Sequence, residues 1–195
     1  MAQLPAAEML GAHVSVQGGM ASAPVRGVAI GASAIQVFTK TPNQWREPVV
    51  ADDVARAFRD AFGSSGLARI VSHDSYLINL ASPDPVLRAR SEASFRAELE
   101  RCRALGIPHL VSHPGNYIDD RAAGLARNAE AITRCLEAVP GNVGVLLTFV
   151  LQRDRAPSRD VACSLCAESD QRIDVRGTSR RKVRRQQSHG NQQDR

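Results

Sequence analysis

Five short runs of β-forming apolar residues alternate with helical segments over the first 147 residues, and this alternation restricts the possible folds more than any other feature. The runs lie at 9–15, 34–40, 69–74, 109–113 and 143–147. Three segments between them carry apolar stripes of helical period: 51–62, 87–105 and 120–139. Because strands that alternate with helices are typical of βα units, the pattern predicts an α/β domain with a parallel sheet.

Polar residues follow the C-terminal ends of several runs, which distinguishes two arrangements of parallel strands. A nucleotide-binding sheet needs a glycine-rich phosphate loop after its first strand, and that pattern is absent here. Barrel enzymes instead collect active-site residues from the ends of many strands. We therefore predict that 9–147 form a partial TIM (β/α)8 barrel of about five parallel strands. Five strands cannot close an eight-stranded barrel, so the first and last strands are expected to be open edges.

Residues 148–195 differ from the preceding chain in charge and in pattern. They contain 11 Lys and Arg against 6 Asp and Glu, whereas residues 1–147 contain 14 of each class. No hydrophobic period is sustained there, so we predict a basic, largely disordered tail. We favour a shifted reading of a gene rich in GC codons, since arginine outnumbers lysine 23 to 2. The alternative is a real extension in which RGTSRRKVRR at 176–185 binds nucleic acid without sequence preference.

The sequence shows no recognisable targeting signal, and its cysteines are few and irregularly spaced; both features predict a cytoplasmic protein. The N-terminus has no basic stretch followed by an apolar run, and nowhere do eighteen apolar residues follow one another. The four cysteines are irregularly spaced, which favours free thiols over a disulfide framework. Cys163 and Cys166 form a lone CxxC pair, and without a second pair a zinc knuckle is disfavoured.

Two histidines emerge where buried strands end. His73 and His113 each follow a Val-Ser step, at the ends of the third and fourth runs. In a parallel barrel such ends share one rim, so the two imidazoles could converge on one metal ion, for which neutral imidazole is a good ligand. The alternative is that each ring is a polar strand end satisfied by loop backbone. Residue pattern alone leaves both interpretations open.

Four segments, in their order and spacing, carry a resemblance to a known family. They are GAHVSVQGG at 11–19, FTKTPNQW at 38–45, SHDSYLINLASP at 72–83 and SHPGNY at 112–117. Together they closely resemble bacterial endonuclease IV, a family of zinc-dependent apurinic/apyrimidinic endonucleases built on a TIM barrel. The resemblance covers residues 9–147, about the first half of a family member. GAHVS alone would also fit the wider group of sugar isomerase-like barrels.

The resemblance implies a role for several residues in binding double-stranded DNA that contains abasic sites. The segment from Lys40 to Trp45 matches a loop that enters the minor groove beside the lesion, and Tyr76 matches an aromatic residue at the DNA-facing rim. The implied DNA contacts are Lys40, Thr41, Asn43, Gln44, Trp45 and Tyr76. Phosphate attraction is expected from Lys40 and Arg46.

The resemblance also implies zinc chemistry, which this chain matches only in part. His73 and His113 match two histidines that hold one of the family's three zinc ions, and His13 and Ser15 are second-shell candidates. Where the family has a glutamate that bridges two ions, this chain has Thr148, and no later ligand pattern follows. A neutral hydroxyl supplies neither the charge nor the two oxygens of a carboxylate. We therefore expect at most one weak partial zinc site and assign no catalytic residue.

The functional expectation is an endonuclease that cuts DNA 5′ to abasic sites in base excision repair, with little or no activity in this chain. One alternative is a non-enzymatic nucleic-acid-binding fragment that acts through the basic tail. A sugar isomerase or epimerase is a further alternative, which the FTKTPNQW and HDSYLINL segments disfavour. No membrane contact is expected. Family members are usually monomeric, whereas the open edges here favour aggregation.

Overall fold

The computed structural model describes residues 10–148 of the 195-residue chain, and they form alternating strands and helices. In chain order the elements are β1 (Gly11–His13), α1 (Ser22–Ala29), β2 (Ala34–Phe38), α2 (Asp52–Ser65), β3 (Arg69–His73), α3 (Pro85–Leu105), β4 (His109–Ser112), α4 (Arg121–Ala138) and β5 (Gly144–Leu147). Each strand lies within the run predicted from sequence. The prediction of about five parallel strands with intervening helices is therefore confirmed.

The five strands form one parallel sheet in the order β1-β2-β3-β4-β5. Each strand pairs with the next one along the chain, and each helix connects two neighbouring strands. Because all strands run the same way, their carboxyl ends lie along one rim of the sheet. This is the arrangement in which barrel enzymes collect functional residues.

The bounds of α3 follow from its terminal residues. The Asp84 side chain accepts hydrogen bonds from the backbone N–H groups of Val86 and Leu87, which otherwise have no partner in the first turn. Pro85 occupies the first helical position, where its missing N–H costs nothing. Gly106 ends the helix in the left-handed conformation, with φ of 72°.

The hydrophobic core lies between the sheet and its helices. Val37 and Leu110 contribute from the strands, and Phe58 and Phe95 contribute from α2 and α3; all four are at most 1% exposed. Burial of one such side chain contributes about 1.5–3 kcal/mol to folding before entropy costs. The core thus holds the carboxyl ends of the central strands at fixed positions.

Helix α1 packs unusually close to the sheet. A Cβ atom at Gly27 would lie 2.5 Å from Cγ2 of Ile35, so only glycine permits this approach. Gly27 and Pro24 are poor helix formers, so the sequence of this eight-residue segment gives only a weak signal for a helix. None of the helices in the described part of the chain is long and apolar enough to cross a membrane.

Within residues 10–148, the outer strands β1 and β5 each pair on one side only. Leu146 and Leu147 of β5 are 43% and 39% exposed, whereas Leu110 of the adjacent strand is fully buried. The predicted open edges are therefore present in this part of the chain. Of the tail predicted over 148–195, residues 149–195 lie outside the described residues, so the disordered tail and the domain boundary at 147 stay predictions.

Candidate functional site

The ends of β3 and β4 place His73 and His113 side by side. His73 is the last residue of β3 and pairs in register with Val111, and His113 directly follows β4. Their ring centroids are 5.1 Å apart, with 57° between the ring planes. The structure thus brings together the two imidazoles that the sequence suggested. Their role as metal ligands remains a prediction.

The environment of His73 fixes which nitrogen is available. Its Nδ1 lies 2.8 Å from the carbonyl oxygen of Asp74, and because a carbonyl can only accept, Nδ1 must carry the proton. The ring is 5% exposed, and burial lowers the pKa of His73, an effect that the Asp74 carbonyl opposes and that His113 reinforces. A neutral ring with a free lone pair on Nε2 is the form that binds a metal ion.

His113 has a different partner. Its Nδ1 lies 3.1 Å from Oγ1 of Thr148, the residue that follows β5. The backbone N–H of Thr148 donates to the carbonyl oxygen of Ser112 over 3.0 Å, which continues the β4–β5 pairing and fixes the hydroxyl beside the ring. The neighbour of His113 on this side is therefore a neutral alcohol, which is a poor zinc ligand.

The carboxyl group closest to the two histidines is that of Asp74. It is 3% exposed, and Ser112 donates to its Oδ2 over 2.6 Å. Burial raises the pKa of Asp74 to about 8; the hydrogen bond from Ser112 opposes the shift, Glu98 adds to it and Lys40 lowers it. A carboxyl whose pKa is raised in this way carries less negative charge near neutral pH than an exposed aspartate does.

A third ligand is missing from this part of the chain. Among residues 10–148, no three His, Cys, Asp or Glu side chains are grouped so that they could hold a metal ion. Catalytic zinc typically takes three protein ligands and a water molecule. The described residues therefore do not fit the zinc cluster that the family resemblance implies.

The two second-shell candidates lie at the end of β1 and just after it. The ring centroids of His13 and Phe38 are 4.3 Å apart with the planes tilted by 42°, and Nδ1 of His13 lies 2.9 Å from the side-chain amide nitrogen of Gln36. Burial, and secondarily His73, lower the pKa of His13. The Ser15 hydroxyl accepts from the backbone N–H of Gln17, which places it in a local turn.

The predicted DNA contacts lie on the loop between β2 and α2, residues 39–51, here called the β2–α2 loop, and on Tyr76. Thr41, Asn43 and Gln44 are exposed. Trp45 is half-buried under Arg90, whose guanidinium carbon lies 4.4 Å from the ring centroid.

Tyr76 is 46% exposed, and its ring meets the edges of two others on the rim. The centroid distances are 5.2 Å to Phe38 and 5.9 Å to His73. An exposed aromatic ring therefore lies directly beside the histidine pair.

Lys40 does not lie where a phosphate contact requires it. Its side chain is 1% exposed, and its Nζ lies 2.5 Å from Oε1 of Glu47 and 3.0 Å from Oγ of Ser94. A phosphate could reach this ammonium only if the ion pair opened. Arg46, which is exposed, is the other cation from which the sequence predicts phosphate attraction.

Several residues that shape the site were not singled out by the sequence. Glu47, Glu98 and Arg101 join Lys40 in a buried polar network. The Asn79 side chain holds the loop after β4: its Nδ2 donates to the carbonyl oxygen of Asn116, and its Oδ1 accepts from the N–H of Asn116, both over 2.9 Å. The one available signal was the serines on the apolar stripe of α3, which indicate a buried face with polar partners.

The chain belongs to the family of xylose isomerase-like TIM barrels, whose model matches residues 26–149. Within that class it is similar to proteins called "Probable endonuclease 4". The one from Geobacter sulfurreducens is 45% identical over 141 residues, which are 72% of this chain and 48% of the relative. The one from Chloroflexus aurantiacus is 46% identical over 139 residues, or 70% and 49% of the two chains. The chain thus spans about half the length of the curated relatives it matches.

Solved structures agree with this assignment. The crystal structure of endonuclease IV from Thermus thermophilus matches with a TM-score of 0.63 and 31% identity, over 70% of this chain and 50% of that one. The resemblance to endonuclease IV in the N-terminal part is thereby confirmed. A D-psicose 3-epimerase matches with a TM-score of 0.51 and 19% identity over 69% of this chain and 50% of that one, which shows the fold alone.

Proposed function

We propose that this chain carries the DNA-recognition side of an apurinic/apyrimidinic endonuclease of base excision repair, joined to an incomplete hydrolytic centre. The names of the relatives support an endonuclease, and the exposed β2–α2 loop beside Tyr76 supports a surface that contacts DNA. The substrate is a DNA duplex that contains an abasic site. The cytoplasm is the proposed compartment.

The polar, cationic and aromatic side chains at the rim of the sheet support the proposed recognition of DNA. Thr41, Asn43 and Gln44 offer hydrogen-bond donors and acceptors to sugar and base edges, and the exposed Arg46 supplies a cation for phosphate. Tyr76 offers a half-exposed ring, a surface on which a base can stack. Lys40 has no part in this set, because its charge is neutralised inside the domain.

Cleavage is a separate requirement. Clustered zinc ions, when bound, lower the pKa of a water molecule and neutralise the attacked phosphate. The contact between Thr148 and His113, a neutral hydroxyl 3.1 Å from the ring, is the observation that carries our proposal of little or no cleavage. His73 and His113 alone provide at most one weak zinc site, so we derive no hydrolytic step for these residues.

A cleavage assay tests this proposal. The purified full-length chain is incubated with zinc and a duplex that contains one abasic site, alongside a His113→Ala variant. We expect the parent chain to bind the abasic duplex more tightly than the intact duplex, and to nick it no faster than the variant. Robust nicking 5′ to the abasic site by the parent alone would show that the hydrolytic centre is complete. Equal affinity for the two duplexes would exclude abasic-site recognition.

A second candidate function is non-specific nucleic-acid binding by the basic tail, which the charge excess of residues 148–195 favours. Deletion of 149–195 separates the two. If the tail alone binds, the deletion abolishes affinity for every duplex. If the β2–α2 loop recognises the lesion, the preference for the abasic duplex survives while overall affinity falls.

A further inference from the structure

The β2–α2 loop is tied at both ends to α3 through one carboxylate. Oε1 of Glu47 accepts from Nζ of Lys40 over 2.5 Å and from Oγ of Ser94 over 2.6 Å. Oε2 of the same residue accepts from Nη1 of Arg101 over 2.8 Å. Glu47 therefore links the beginning of the loop, at Lys40, with two positions of α3, although these partners lie 47 and 54 residues away along the chain.

The charges in this network balance. The side chains of Lys40, Arg101 and Glu98 are 1%, 4% and 1% exposed, and that of Glu47 is 27% exposed. Thr39 joins the set: it donates to Oε2 of Glu98 and accepts from Nε of Arg101 over 2.9 Å. Two cations face two carboxylates, so loss of the Glu47 charge would leave one buried cation uncompensated.

A third attachment holds the middle of the loop. The carbonyl oxygen of Pro42 accepts from Oγ of Ser75 over 2.6 Å and from the backbone N–H of Tyr76 over 3.0 Å. The loop is thus fixed at its start, at Pro42 and at Glu47. Asn43 and Gln44 are presented to solvent between the last two of these points.

We propose that Glu47 is a positioning residue that closes the β2–α2 loop into a rigid element for binding duplex DNA. The inference rests on the proposed DNA recognition and deepens it. A loop already ordered in the free protein loses less conformational entropy on binding, so it binds more tightly than a mobile loop with the same contacts. Glu47 acts through Asn43 and Gln44 and needs no contact with DNA.

Hydrogen exchange of the full-length chain tests the closure without reference to DNA. In Glu47→Gln, the amides of Gln44 and Tyr76, which donate to the carbonyl oxygens of Thr41 and Pro42 in the loop, should exchange at least about tenfold faster than in the parent, while those of β3 and β4 keep their protection. Glu100→Gln is the matched control, because it removes the same charge from an exposed position on α3 and should leave the exchange unchanged. Parent-like exchange of the Gln44 and Tyr76 amides in Glu47→Gln would overturn the proposal.

A double variant guards against a global folding defect. Lys40→Met combined with Glu47→Gln removes one charge of each sign, so Arg101 and Glu98 still balance. We expect β3 and β4 to be as protected as in the parent and the amides of Gln44 and Tyr76 to exchange as fast as in the single variant. Slow exchange of the loop in this folded double variant would contradict the role given to Glu47.

Binding to an abasic duplex, followed by fluorescence anisotropy, tests the functional consequence. The double variant Lys40→Met, Glu47→Gln should raise Kd roughly tenfold, while the dependence of log Kd on log salt keeps its slope, because it loosens the loop without freeing Lys40 for a phosphate. Unchanged Kd in a variant with a mobile loop would overturn the link between closure and binding. If the parent does not bind the duplex, the proposed function fails, and the exchange experiment still decides whether Glu47 closes the loop.

Discussion

The two halves of the sheet rim are built very differently. On the β2–β3 side, a charge-balanced network joins the β2–α2 loop to α3, and its members Lys40, Glu98 and Arg101 are almost fully buried. On the β4–β5 side, β5 is the open edge of the described sheet, and Thr148 is the only group from beyond β5, within the described residues, that contacts His113. The first side takes its partners from α3 and from the residues after β3, whereas on the second side no described strand lies beyond β5.

This difference teaches that recognition and hydrolysis make separate demands on a barrel. A loop can be held in place by one helix and one neighbouring strand, as the β2–α2 loop is. A multi-ligand metal centre requires carboxylates from several strands at once, because each strand end contributes one or two ligands to the rim. The five described strands can therefore position a loop without completing such a metal centre.

The largest loss of stability is expected from a change in the ion-pair network on the β2–β3 side. Arg101→Ala removes the guanidinium that contacts Thr39, Glu47 and Glu98, and leaves the buried Glu98 without its cationic partner, since Lys40 pairs with Glu47. We expect the free energy of unfolding to fall by about 3–5 kcal/mol, measured by urea denaturation. Arg56→Ala, at an exposed position of α2, is the control and should change it by less than about 0.5 kcal/mol. Similar effects of the two changes would show that the network does not stabilise this side.

An intermediate loss of stability is expected from a substitution in the loop after β4. Gly115 has φ of 82°, and a Cβ atom there would lie 2.4 Å from Oδ1 of Asn79, which holds Asn116. Gly115→Ala should lower the free energy of unfolding by about 1–3 kcal/mol and displace this loop.

Gly63→Ala is the matched control for that change. A Cβ atom at Gly63 meets nothing within 4 Å and the residue lies inside α2, so alanine there should stabilise by about 0.5–1 kcal/mol. Circular dichroism during urea unfolding measures both variants. If Gly115→Ala stabilised the protein, the hydrogen bonds between the Asn79 side chain and the backbone of Asn116 would not be formed.

The smallest effect is expected at the open edge. Leu147→Ala truncates a side chain that is 39% exposed, so the free energy of unfolding should fall by less than about 1 kcal/mol. Leu110→Ala, one strand further in and fully buried, should cost about 2–5 kcal/mol in the same assay. Equal costs at the two positions would show that β5 is covered in solution.

The fold was largely predictable because hydrophobic period is a local signal. All five strands and three of the four described helices were located from their apolar pattern. Helix α1 was not singled out, because Pro24 and Gly27 interrupt its short segment. Gly27 is explained by a tertiary contact, its close approach to Ile35, which the residues around Gly27 in the sequence do not reveal.

The site was predictable only where it depends on strand ends. The approach of His73 to His113 follows from a parallel sheet, whose carboxyl ends share one rim. The burial of Lys40 could not be foreseen, because lysine is almost always exposed and its partner Glu47 is itself held by residues of a later helix. Long-range ion pairs leave no periodic trace in the sequence.

The most direct test of our central claim, that the rim lacks a third metal donor at Thr148, is zinc binding by the full-length chain measured by competition with a chelating dye. We expect the parent to bind zinc weakly, and Thr148→Glu to bind at least about tenfold more tightly, because it adds a carboxylate beside His113. His113→Ala in the Thr148→Glu background should abolish the gain. Tight stoichiometric zinc binding by the parent that is lost in His113→Ala, with no improvement from Thr148→Glu, would contradict the claim.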